Sequence, residues 1–165
     1  MLVEILVSAA ILFLGGILQS ALLPHLSIVG VKVDLVLLMV IAWSIRRGIA
    51  EGLIWAVLGG LALDVLSVGP FGLSILTCCL VTIIAGGAGP ILRRTSVLLP
   101  LVLTPVLSIV ATLVAALGLE LLGRPTSWPA TVALVVLPAA VLDSVAMLVV
   151  YPLVSAVEHR LTTVD

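Results

Sequence analysis

The sequence predicts an all-α integral membrane protein, a six-transmembrane-helix bundle, and three observations lead there. Hydrophobic residues make up 63% of the chain and charged residues 9%, with a mean hydropathy of +1.49. Soluble domains carry about 25% charged and about 45–50% apolar residues, and a soluble fold of 165 residues has too much surface to hide such an excess. The apolar residues also fall into six stretches, each near the roughly 20 residues that cross a hydrocarbon core of about 30 Å. Finally, no connecting segment is long enough to fold as a soluble lobe, so residues 1–165 form one transmembrane domain.

Span one covers residues 5–23. It follows Glu4 with no basic leader region, and Gln19-Ser20-Ala21-Leu22 offers no small-x-small cleavage signal, so an uncleaved helix is expected. Span two, 28–45, is interrupted early by Lys32 and Asp34. Its unbroken apolar core, 35–42, is short enough to make a half-span or re-entrant segment the alternative. Span three, 49–66, is rich in glycine and is followed by a Ser-Val-Gly-Pro-Phe-Gly turn at 67–72. Span four covers 73–92 and holds both cysteines, Cys78 and Cys79, whose adjacency in a helix argues against a bridge between them. Span five, 97–122, ends at Gly123-Arg124-Pro125, and span six covers 130–157.

Basic residues orient the spans. With six crossings, Arg46, Arg47, Arg93, Arg94 and Arg160 share one side, and Lys32 and Arg124 take the other. A five-to-two bias places the arginine-rich side, and with it both termini, in the cytoplasm. Five crossings would split the two Arg-Arg pairs between the faces, so six is favoured. Trp43 and Tyr151 then fall near the cytoplasmic boundary and Trp128 near the outer one, where amphipathic rings sit well. Trp55 lies deeper and has no such account.

Acids within spans are costly and face protein or water-filled cavities. Asp34 opens span two, Asp64 closes span three, Glu120 lies near the outer end of span five, and Asp143 is the deepest. Ala56, Gly60 and Asp64 follow one another at four-residue spacing, with Gly52 one step earlier. Small residues in that register admit a neighbouring backbone. Asp64 is therefore expected in a helix contact, bonded to backbone donors or Lys32, with a functional role as the lesser alternative. Asp143, flanked by Ala139, Ala140, Ser144 and Ala146, is weighed as a hydrogen-bonded structural acid above a proton relay or ligand contact. Glu120 and Arg124 stand four apart and suit a local ion pair. Gly69-Pro70-Phe71-Gly72 fits a hairpin turn, and the Ala85-Gly86-Gly87-Ala88-Gly89 run of span four suits close helix approach.

Several function classes find no support. His25 and His159 fall on opposite faces. There is no His-Glu-x-x-His motif, no Gly-x-Ser-x-Gly elbow and no phosphate-binding loop. Glu4, Glu51, Glu158 and Asp165 are scattered along the cytoplasmic side, so no catalytic set, metal site or cofactor is expected. A net charge of −1 gives no general attraction to nucleic acid.

From Pro24 to Gly87 an ordered pattern resembles the MreD family of bacterial rod-shape-determining proteins. Asp34 opens an apolar helix ending in Arg46-Arg47-Gly48. A glycine-rich helix then closes on Gly59-Gly60-Leu61-Ala62-Leu63-Asp64, and Gly69-Pro70-Phe71-Gly72 turns into the next span. Tyr151-Pro152-Leu153, followed by Arg160, extends the likeness. Two positions depart from it: Val33 stands where the family often has proline, and Asp143 where it often has asparagine. The resemblance implies residence in the bacterial inner membrane and binding to MreC, a partner with one span. It also implies a link, through MreC, between MreB filaments and the glycan polymerase and transpeptidase of peptidoglycan synthesis. It further implies a fold similar to the substrate-binding subunits of energy-coupling-factor transporters. That similarity supplies the alternative function, binding a vitamin-type small molecule. Against it, the Ala-x-x-x-Ala docking motif common in the first span of those subunits does not occur between Val7 and Ser20.

Overall fold

A computed structural model describes the backbone of residues 2–22, 33–67, 70–92, 98–123 and 128–162, and the side chains of 9–19, 33–67, 70–89, 100–123 and 128–158. Among them no strand occurs. The helices are α1 (Leu2–Leu22), α2 (Leu35–Arg47), α3 (Ile49–Leu66), α4 (Leu73–Leu92) and α5 (Leu98–Leu121). The last segment joins α6 (Trp128–Thr131), a π-helical turn (Val132–Val136) and α7 (Leu137–Thr162) end to end. Pro138 has no amide hydrogen to offer the carbonyl four residues back, and the wider turn lies just before it.

Three described stretches are long and apolar enough to cross a membrane: Ile49–Leu66, Pro100–Leu121 and Trp128–Glu158. Ala9–Gln19 and Leu73–Gly89 are apolar but shorter within the described residues. Their outward faces stay apolar. Leu76, Ile83, Val102, Val141 and Leu148 are each at least half exposed, the pattern of a bundle solvated by lipid.

α2 has a different character. It holds 13 residues, about 20 Å at 1.5 Å per residue, short of the roughly 30 Å core. Its start is set by Asp34, whose carboxylate accepts the Leu37 amide at 3.1 Å while its carbonyl accepts the Leu38 amide at 3.0 Å. Nine of its 13 residues are buried, because it touches α1, α3, α4, α5 and α7. Leu38, Ile41 and Ile45 form the centre of the core with Leu12, Val81, Leu107 and Met147. The chain turns from α2 into α3 on Gly48, whose φ of +88° favours glycine over any residue with a Cβ.

Between helices in lipid, contact has to replace the hydrophobic drive, and the small residues of α3 supply it. A Cβ built on Gly60 would sit 2.5 Å from the Ile75 Cα, and one on Gly86 would sit 2.9 Å from the Ile49 amide nitrogen. The backbones of α3 and α4 thus meet near both ends. Gly52 makes room for Ser44 and Thr82, whose hydroxyls lie 3.3 Å apart, and Ala56 is wholly buried.

Candidate functional site

The polar side chains gather at the two ends of α2. At its N-terminus a chain of hydrogen bonds ties four helices. Gln19 of α1 donates to Asp34 Oδ1 at 3.2 Å, and its own carbonyl oxygen accepts the Val36 amide at 3.1 Å. The Asp34 amide donates to Asp143 Oδ1 of α7 at 3.2 Å, and the Ser108 hydroxyl of α5 donates to Asp143 Oδ2 at 2.5 Å. Asp143 is 2% exposed, so these bonds replace the water it has lost. A Ser–Asp pair needs a general base beside the hydroxyl to make a nucleophile. No histidine or lysine lines this region among the described residues.

Asp64 solves a neighbouring problem. Its Oδ2 accepts the Gly72 amide at 2.8 Å and its Oδ1 accepts the Ser74 amide at 3.1 Å. It therefore caps the first turn of α4 from the end of α3 and closes the turn between them, where Gly72 has a φ of +95°. Gly69 lies outside the described residues. Asp64→Asn retains one good acceptor and is expected to cost about 1 kcal/mol, against about 2–3 kcal/mol for Asp64→Leu, which strands both amides. Melting of both variants in mild detergent checks the order. Equal melting with equal loss of cell shape would point to a charge-dependent role instead.

A cavity of about 400 Å³ opens between these groups. Asp34, Asp143, Ser74, Thr77, Ser108 and Cys78 form its polar wall, drawn from α2, α4, α5 and α7. Of the acids and small residues that the sequence singles out, Asp34 and Asp143 meet here, and Asp64 of α3, next in sequence to the lining residue Leu63, does not line it. Gly52, Ala56, Gly60 and Gly86 lie in helix contacts elsewhere in the bundle. Gln19 and Ser108 are members of the network that sequence reasoning does not find. A lone amide in an apolar span, and a serine in a span facing an acid, are the available signals.

At the opposite end of α2 the acids are less scattered than the sequence suggests. Glu158 pairs with Arg46, and its other oxygen lies 3.0 Å from Arg47 Nε. Glu51 lies 3.6 Å from Arg47. The Arg47 guanidinium also stands 5.6 Å from the Trp43 ring centre. Trp43 is buried and stacked on Trp55 at 4.1 Å, which gives the deep tryptophan its account. Lys32, Arg93, Arg94, Arg124, Arg160, His25, His159, Glu4 and Asp165 carry side chains outside the described set, as does the Glu120–Arg124 pairing. No group of three or more His, Cys, Asp or Glu suited to a metal occurs among the described residues.

Fold and site together define a membrane-embedded helical protein whose described polar groups mainly join one helix to another. Its family is equally specific. The chain belongs to the MreD family: the model described as "rod shape-determining protein MreD" matches residues 3–158, nearly its whole length. The resemblance to that family is thereby established, and with it a role in rod-shape determination. No curated protein and no solved structure matches the chain.

Proposed function

We propose that the chain is a non-catalytic scaffold of the bacterial cell-elongation machinery that maintains rod shape by binding MreC. Through MreC it links MreB filaments to the glycan polymerase and transpeptidase. The observation that carries this reading is the family match over residues 3–158. Two features support it: most described polar groups are engaged in helix contacts, and α3 and α4 keep apolar outer stripes. The chain sits in the inner membrane with six crossings and both termini in the cytoplasm, and its fold is similar to that of energy-coupling-factor substrate subunits. The five-to-two basic asymmetry supports the orientation.

Copurification in mild detergent tests the partner. A one-span protein retained at fixed stoichiometry is expected, and its absence under all mild conditions counts against the scaffold. Reporter fusions test the topology: cytoplasmic reporters should be active at both termini and a periplasmic phosphatase active after Arg124. Phosphatase activity at the C-terminus would remove the six-crossing arrangement.

The cavity beside Asp143 favours a second reading, a substrate-binding subunit of a vitamin-type transporter. Tight binding of a vitamin by the purified chain alone would select it over the scaffold.

A further inference from the structure

We infer that the cavity at the N-terminal end of α2 is a binding site for a small amphipathic ligand bearing an ammonium group. The inference rests on the cavity wall and holds whether or not the chain is a scaffold.

Its polar wall is rich in acceptors and poor in free donors. Two carboxyl groups, Asp34 and Asp143, face it, and no Lys, Arg or His lines it among the described residues. The hydroxyl donors are largely spent inside the wall: Ser108 on Asp143, Thr77 on the Leu73 carbonyl at 2.8 Å, and Thr112 on the Ser108 carbonyl at 2.9 Å. What these hydroxyls present to an occupant is therefore lone pairs. Asp34 adds an uncommitted one. Both donors to its carboxylate, Gln19 and the Leu37 amide, go to Oδ1, and Oδ2 accepts from no described residue. Buried carboxylates call for donors and positive charge, and the described lining residues supply little of either.

The rest of the lining is apolar, from Leu37, Leu63, Ala111 and Val135, which suits a hydrocarbon body behind the charged end. A volume of about 400 Å³ falls within the roughly 300–1,000 Å³ of small-molecule sites. No group of three or more His, Cys, Asp or Glu side chains suited to a metal occurs among the described residues.

Cys78 lines the cavity and Cys79 does not, which gives a reporter inside the site. In the full chain carrying Cys79→Ser, Cys78 is treated with cationic aminoethyl methanethiosulfonate or anionic sulfonatoethyl methanethiosulfonate. Each rate is divided by that reagent's rate with free mercaptoethanol. A preference of about tenfold or more for the cation is expected from opposite charges a few ångströms apart, and Asp34→Asn should reduce it. Propylammonium in a detergent-purified sample should slow the cationic reagent if the ligand comes from water. Phosphatidylethanolamine in nanodiscs, compared with phosphatidylcholine, should slow it if the ammonium belongs to a lipid headgroup. Equal normalised rates, failure of both reagents to reach Cys78, or protection by neither amine would overturn the inference and leave water as the occupant.

Discussion

Asp143→Leu is expected to destabilise the bundle by about 3 kcal/mol, since it leaves two buried donors without an acceptor at about 1–3 kcal/mol each. Those donors are the Ser108 hydroxyl and the Asp34 amide, and the site is 2% exposed. Leucine brings no polar atom to take the place of the lost acceptor. Asp143→Asn keeps a carbonyl oxygen for one donor and nearly the same shape, so about 1 kcal/mol is expected from it. Thermal melting in detergent, paired with rescue of rod shape in cells lacking the protein, separates the possible roles. A structural Asp143 predicts that Leu fails both assays while Asn retains both. Loss of shape in both variants at unchanged melting would instead make the charge itself functional.

Gly60→Leu is expected to prevent the bundle from folding, and Gly60→Ala to cost about 3 kcal/mol, the upper part of the usual overpacking range. The reason is what the added carbon meets. The Ile75 Cα lies at 2.5 Å and the Ile75 amide nitrogen at 2.8 Å, and backbone cannot swing aside as a side-chain end can. Gly86 is similar, with the Ile49 backbone at 2.9 and 3.0 Å. Gly87, one residue on, has no atom within 4 Å of an added Cβ, so Gly87→Leu should melt like the parent. The three variants therefore divide the small residues of α3 and α4 between the bundle and its outside. A partner lost from Gly87→Leu at unchanged melting would place that partner against α4. Normal melting of Gly60→Leu would contradict the α3–α4 contact.

Helix content is legible in the sequence because lipid demands long apolar runs, and few structures other than helices satisfy the backbone there. α2 is harder. Residues 28–32 of its expected span lie outside the described residues, and α2 itself begins at Leu35, where Asp34 caps it and Asp143 anchors that cap from 109 residues away. A pairing so distant in sequence leaves no local signal. For Asp64 the sequence offers backbone donors or Lys32 as partners, and the carboxylate bonds to the amides of Gly72 and Ser74. The turn motif and the acid, separate features in the sequence, are one device in the fold. Arg46 and Arg47 read from sequence as topological charge and as part of the family pattern. Their union with Glu158 depends on how α7 returns beside α2, which composition cannot show. The cavity is invisible for the same reason: four helices contribute to its polar wall, and no single one of them carries a motif.

The scaffold reading is tested most directly by a site-specific photocrosslinking scan in living cells. Positions on the exposed stripes, Ile54, Val57, Leu61 and Val65 of α3 and Leu76, Leu80, Ile83 and Gly87 of α4, point away from the core and would carry the crosslinker one at a time. The same scan extends to the exposed residues of α1, α5 and α7. The account predicts crosslinks to the single span of MreC confined to one continuous face, with helical spacing between the reactive positions. A scan in which no position on any helix captures MreC would contradict it.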